Sequence, residues 1–429
     1  MRLVGYDHRT VTRRATQAAF LALTLVGVFY FHANCERWCP FGGVESLYGY
    51  LTEGNMLCSL AVSNFYILGG VLVMTLLLRR AFCGYMCPIG AISEWIHSLG
   101  RTLRLPGVPV PKTVSAILSP LKFVVLFVVL YATWRAGELV FRGYDPCYAL
   151  ISRHGEDIQV WAYVIAGAVA VTSLFLTVPF CRWFCPLAAV FQPFSRVGLT
   201  RVTRDAAACA GCGKCAQSCP MGIPVDRVPS VFHAECIACL GCVSACAKTR
   251  KRALTWGPSG GLRRRLGDRW PQAALIAILL CCTAGAVTAS YLAPLPSFVK
   301  ERSGQADRPQ SVRLKIENLS CRGRGNLLYW YLDRDDAFRI PGRLRLEAWP
   351  GPGYATIIVH FDAAKTSEAA IKRAITEPYY NAAEDRWRMS PFRIEGYDLL
   401  DVDVDGGAPE PPLGDEPFED PLGDAAFER

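Results

Sequence analysis

A chain of 429 residues that is 52% hydrophobic and only 19% charged, with a mean hydropathy of +0.21, is too apolar for one soluble globule and long enough for two or three domains. Its net charge of +9 would suit nucleic acid, but no recognition motif or basic reading helix occurs, and membrane proteins gather Lys and Arg in their cytoplasmic loops. Nineteen cysteines in so long a chain exclude a small disulfide scaffold and turn the reading toward metal-ligand spacing.

Five apolar segments, near 15–33, 62–78, 115–134, 160–180 and 272–293, approach the roughly 20 residues that cross a bilayer. The first follows "MRLVGYDHRTVTRR" and runs straight into a cysteine motif, so it reads as an anchor rather than a cleaved signal. Arg79, Arg80, Arg101, Arg104 and Lys112 separate the second and third segments, and "KTRKR" and "GLRRRLGDRW" precede the fifth. Positive charge marks these stretches as cytoplasmic and places the loops 34–61 and 135–159 outside. The N-terminus is then cytoplasmic and the C-terminus periplasmic, in a bacterial inner membrane.

Beside apolar runs the motif Cys-x3-Cys-Pro occurs three times, at Cys35/Cys39, Cys83/Cys87 and Cys181/Cys185. A repeat accounts for two of them: span, outer loop, returning span, then the motif at the inner face. Residues four apart share a helix face, so Cys83 with Cys87 and Cys181 with Cys185 supply four thiolates, enough for one cubane or one tetrahedral zinc. Inert buried cysteines are the plainer alternative. Cys35 and Cys39 fall on the outer side, where Cys58 and Cys147 are the membrane-proximal partners. These four could hold a fourth cluster, form disulfides, or stay free. Sites at opposite edges of a core about 30 Å thick exchange electrons poorly, so a path across it needs recessed clusters or a further carrier such as a quinone. His32, His97 and Lys122 stand near the expected membrane edges, where quinone contact competes with ordinary packing; Lys122 can also snorkel. Cys281 and Cys282, mid-span in the fifth segment, read as packing.

"CAGCGKCAQSCP" sets Cys209, Cys212, Cys215 and Cys219 at x2, x2 and x3 spacing, followed by Pro220; Cys236, Cys239, Cys242 and Cys246 repeat it, followed by Ala247. This is the bacterial two-cluster ferredoxin spacing, in which the fourth cysteine of each run ligates the other cluster. One [4Fe–4S] cluster is expected on Cys209, Cys212, Cys215 and Cys246, the other on Cys236, Cys239, Cys242 and Cys219. Zinc ribbons or disulfides are the alternatives, and a cytoplasmic setting and the eightfold spacing weigh against both.

With these residues in view, the chain resembles the NapH/NosR/CcoG-type membrane-bound polyferredoxins, which are also related to MauN. The resemblance covers roughly residues 15–250 and is carried by Cys83, Cys87, Pro88, Cys181, Cys185, Pro186 and the eight cysteines from Cys209 to Cys246. It implies electron transfer through iron–sulfur centres between a quinol pool or cytoplasmic donor and periplasmic redox or metal-assembly reactions.

From residue 311 the pattern changes. "SVRLKIENLS", "GRLRLEAW", "YATIIVHFD" and "FRIEGYDLL" read as strands, and "NLLYWYLDRDD" and "KTSEAAIKRAIT" as helices. The order βαββαβ makes a ferredoxin-like α/β sandwich that needs no iron. This part resembles heavy-metal-associated domains, which bind metal through Cys-x-x-Cys; here Cys321 stands at the first position but Arg324 at the second. A single thiolate chelates copper poorly, so a docking role suits the domain better. Residues 405–429, acidic and rich in Pro and Gly, read as disordered.

The expected protein is thus a mainly α-helical integral membrane protein with a cytoplasmic two-cluster ferredoxin domain and a C-terminal α/β ferredoxin-like domain. Its parts are a four-helix membrane domain (1–200), a ferredoxin domain (201–255), a basic linker and fifth membrane helix (256–300), the heavy-metal-associated-like periplasmic domain (311–400) and an acidic tail (401–429). Three functions follow: an electron-transfer component of an oxidoreductase complex with redox partners on both faces, a periplasmic copper reductase or cofactor-assembly factor, or a non-redox docking scaffold.

Overall fold

The computed structural model describes residues 8–31, 39–53, 61–108, 110–136, 140–151, 158–247, 253–258, 270–293, 295–296, 298–304, 307–319, 322–349, 353–381 and 386–397. The chain folds as two compact units, Met1–Glu45 with Ser63–Leu292, and Ser46–Val62 with Ala293–Arg429.

The first unit is mostly helical. Among the described residues, two helical stretches, Thr113–Arg135 and Gln272–Leu292, are long and apolar enough to cross a membrane, and they leave nearly all of that apolar surface exposed. Ser63–Leu78 and Val160–Phe175 are apolar but shorter. The sequence repeat reappears as two copies of one motif. In the first, helix α3 (Ala61–Leu78) leads to the short α4 (Ala81–Tyr85) and then α5 (Pro88–Thr102); in the second, α9 (Val160–Phe175) leads to α10 (Pro179–Trp183) and α11 (Pro186–Val197). In each copy the first cysteine is the third residue of the short helix, and the second is the N-cap of a helix begun by proline. Proline suits that first position, where its missing N–H would have no helical partner. Helix α5 packs on α9, where Ser93 and Ser173 share a 2.7 Å hydrogen bond. The segment read as an outer loop contains a helix, α2 (Pro40–Glu53), whose glycines hide its helical period in the sequence. Strands β1 (Thr200–Arg204) and β2 (Leu254–Pro258) pair antiparallel, Val202 opposite Trp256, and frame the cysteine-rich segment between them.

The second unit holds a five-stranded antiparallel sheet. Its strands are β3 (Phe298–Arg302), β4 (Pro309–Glu317), β5 (Leu344–Trp349), β6 (Tyr354–Asp362) and β9 (Arg393–Ile394), in the order β3-β5-β6-β4-β9. Helices Arg322–Leu332 and Glu368–Thr376 intervene in the chain after β4 and β6. Alternate strand residues, among them Leu314, Ile316, Leu346, Ile357 and Val359, join Leu328, Tyr331, Ile371 and Ile375 of the helices in one core. Ser367 caps the second helix by accepting the Ala370 N–H at 3.3 Å.

Candidate metal centres

In the cysteine-rich segment, one cavity is lined by Cys209, Cys212, Cys215 and Cys246, and a second by Cys219, Cys236, Cys239 and Cys242. The last cysteine of each run thus crosses to the other run's cavity. The two loops share an unusual backbone. Gly211 and Gly213 have φ of 67° and 66°, and the matching Ala238 and Leu240 have 49° and 56°. Glycine takes the left-handed region freely, whereas alanine and leucine hold it under strain. The turn brings the N–H two residues on to each loop's first sulfur, Gly211 to Cys209 and Ala238 to Cys236. Such inward N–H groups make a concavity suited to anionic sulfur. Burial pushes the Cys219 thiol up to about 12 and Cys242 well above the ordinary thiol range, so thiolates here call for a compensating cation.

The repeat brings its four cysteines together. Cys87 and Cys181 are hydrogen-bonded, which lowers the Cys87 thiol and raises that of Cys181. Cys185 lies within the electrostatic reach of Cys83 and Cys87, and burial pushes it up. The Cys87 sulfur accepts N–H groups from Ile89 and Gly90, and Cys185 from Ala188. Among the described residues, no three ligand side chains stand close enough to share a single ion. Four thiolates converging from the two repeats are the donor set of an iron–sulfur cluster. The fully buried Arg80 is hydrogen-bonded to the Cys83 sulfur, and its Nε and Nη1 meet no oxygen acceptor among the described residues, which also fits an occupant rich in sulfur.

A cavity of about 580 Å³ opens from this site. Cys87, Cys181 and Cys185 line it, and so do Cys39 and Cys147, which the sequence assigned to the opposite membrane edge. The Cys39 sulfur accepts N–H groups from Phe41 and Gly42, the same offsets that serve Cys87. Asp145 Oδ1 accepts the Cys147 N–H at 2.9 Å and acts electrostatically on both Cys39 and Cys87. Asn64, fully buried on the cavity wall, has neither amide atom hydrogen-bonded among the described residues. Cys282 lines the same cavity while Cys281 is exposed. Cys35, Cys58, Cys321 and His32 lie outside the described residues.

Sequence reasoning overlooked the polar residues that join the repeat to the cysteine-rich segment. Lys122, read as a membrane-edge lysine, is fully buried and paired with Glu235, one residue before Cys236. Glu235 also accepts the Ser119 hydroxyl at 2.8 Å. The backbone N–H of Arg80 donates to Cys236 O at 3.3 Å. Gly84, between Cys83 and Cys87, lies against the Cys236–Cys239 loop so closely that a Cβ would stand 2.6 Å from Ile237 O. A signal was present in the charge of Arg79 and Arg80 immediately before the first motif, but nothing local says that they face inward.

A 4Fe-4S binding domain matches residues 60–106 and again 158–204, and a 4Fe-4S dicluster domain matches 201–247. YccM of Escherichia coli (strain K12) is 27% identical over 56% of this chain and 74% of its own length. The methylamine utilization ferredoxin-type protein MauN of Methylobacillus flagellatus is 30% identical over 42% of this chain and 60% of its own, and the regulatory protein NosR of Pseudomonas aeruginosa is 32% identical over 38% and 23%. No solved structure matches. The repeated binding domain, the dicluster domain and these relatives support the NapH/NosR-type family of ferredoxin-type electron-transport proteins as the one this chain resembles.

Proposed function

We propose that this chain is an integral membrane electron-transfer protein with two [4Fe–4S] clusters between residues 209 and 246 and a third on Cys83, Cys87, Cys181 and Cys185. The observation that carries the reading is the sorting of twelve cysteines into three groups of four, two of them lining separate ferredoxin cavities and one joining the two repeats. When bound, the clusters supply one-electron chemistry. The chain's part is to hold the thiolates, turn N–H groups toward sulfur, and exclude water with buried apolar side chains such as Ile89, Phe191 and Ile237. A fourth cluster on Cys39, Cys147, Cys35 and Cys58 would extend the path; the shared cavity supports it by bringing Cys39 and Cys147 near the repeat cysteines. In this reading the ferredoxin segment is cytoplasmic and the C-terminal unit is a periplasmic βαββαβ docking domain, passing electrons between a cytoplasmic or quinol donor and a periplasmic acceptor.

Anaerobic purification with iron and sulfide counting and EPR tests this. With four irons per cubane, about eight irons means the ferredoxin clusters alone, about twelve adds the repeat site, and about sixteen adds the Cys39 site. A count of eight refutes both membrane clusters.

A further inference from the structure

Arg79 and Arg80 read in sequence as solvated charges flanking a span, yet the folded residues are 1% and 0% exposed. Burying an unpaired cation costs several kcal/mol, so each requires an account. Arg79 is held by backbone carbonyls: Nε donates to Thr200 O at 2.8 Å and Nη1 to Ser195 O at 3.1 Å. Arg80 is less well satisfied. Its guanidinium donates to the Cys83 sulfur, and Nη2 donates to Cys181 O at 3.3 Å, while Nε and Nη1 meet no oxygen acceptor among the described residues. Its charge lies within reach of Cys83, Cys185, Cys181 and Glu235, and its backbone N–H reaches the Cys236 carbonyl. The residue therefore stands between the repeat cysteines and the Cys236 loop.

The repeat shows that the local fold does not demand this cation. Three residues before Cys181, the place that Arg80 holds before Cys83 is taken by Val178, and the same short helix follows it. At this position one half of the pseudo-symmetric site carries a buried positive charge and the other an apolar side chain.

The geometry points to Arg80 as the residue that sets the reduction potential of the cluster held by Cys83, Cys87, Cys181 and Cys185, its guanidinium donating to the sulfur of that site as it does to Cys83. This rests on the third-cluster reading above. Adding one electron makes a cluster one charge more negative, so a buried cation beside it stabilises the reduced form more than the oxidised form and raises the potential. When an electron passes between this cluster and the one near Cys236, one is oxidised and the other reduced by a single electron, and no bond forms or breaks. Arg80 thus biases which of the two holds it.

The test is a potentiometric titration of the anaerobically purified full chain with dithionite, followed by EPR, for wild type, Arg80→Gln and Arg80→Lys, with iron counted in each. Arg80→Gln should lower one transition by at least tenfold in its redox equilibrium, about 59 mV for a one-electron couple, and leave the others in place. Arg80→Lys, which keeps the charge, should stay near wild type with its iron intact. Unchanged potentials in Arg80→Gln at about twelve irons overturn the proposal and leave the cluster reading standing. If Arg80→Gln loses iron, Arg80→Lys decides: a lysine variant that keeps its iron but titrates tenfold lower overturns the proposal as well. A wild-type count of about eight irons removes the cluster itself, and the proposal with it.

Discussion

Lys122→Met should loosen the segment around Cys236 without altering any cysteine. The Lys122 side chain is 0% exposed and that of Glu235 7%. At their 2.5 Å separation and an effective dielectric of about 20, Coulomb's law gives roughly 7 kcal/mol of attraction, set against several kcal/mol of desolvation per ion. The pair is therefore near break-even as a whole, but removing one partner strands the other. Met in place of Lys122 leaves the Glu235 carboxylate buried, with the Ser119 hydroxyl still donating to it and the Arg80 charge within reach, a loss of about 3 kcal/mol, the low end for broken buried pairs. Because about 1.4 kcal/mol is a factor of ten, the local opening equilibrium should rise by about two orders of magnitude. Amide hydrogen exchange across residues 233–246, in the anaerobic protein in detergent, measures that opening. The double variant Lys122→Met/Glu235→Gln should recover most of the protection, since it removes both charges. Exchange in the single variant within about threefold of wild type, or a double variant as open as the single one, would refute the reasoning.

Gly84→Ala should push the Cys236–Cys239 loop aside, because its Cβ would meet the Ile237 carbonyl at 2.6 Å and backbone cannot swing away; cluster absorbance should be lost at a lower temperature, whereas Gly69→Ala, with open space at its Cβ, should be silent. Ile357→Ala in the C-terminal core should cost about 2–5 kcal/mol, seen as faster proteolysis of that unit in the full chain. Ser367→Ala removes the cap on the Ala370 N–H and should cost about 0.5–2 kcal/mol in the same assay. Ala238→Gly relieves a strained left-handed residue in the second cysteine loop and should slow cluster loss on heating, with no change in iron count.

The grouping of the cysteines from Cys209 to Cys246 into two cavities was legible because it follows local spacing, with the last cysteine of each run crossing to the other. The strands of the C-terminal unit were legible for a similar reason, since period-two alternation in residues such as Val312, Leu314 and Ile316 needs no partner to be seen. The repeat was legible from two identical Cys-x3-Cys-Pro motifs after apolar runs. Helix α2 was missed because Gly42, Gly43 and Gly49 lower local helix propensity, while tertiary packing overrides it.

What the tertiary structure alone decided is where the charges went. A count of Lys and Arg beside a span treats each as solvated, so Arg79, Arg80 and Lys122 were read as markers of the membrane edge. All three are buried instead, because Thr200, Ser195, Cys181 and Glu235, distant in sequence, supply their acceptors. Cys39 and Cys147 likewise joined the cavity of Cys87, Cys181 and Cys185 through helix packing that no spacing encodes. Ligand spacing is a property of neighbouring residues and survives in the linear chain; the burial of a charge depends on partners that only folding brings near.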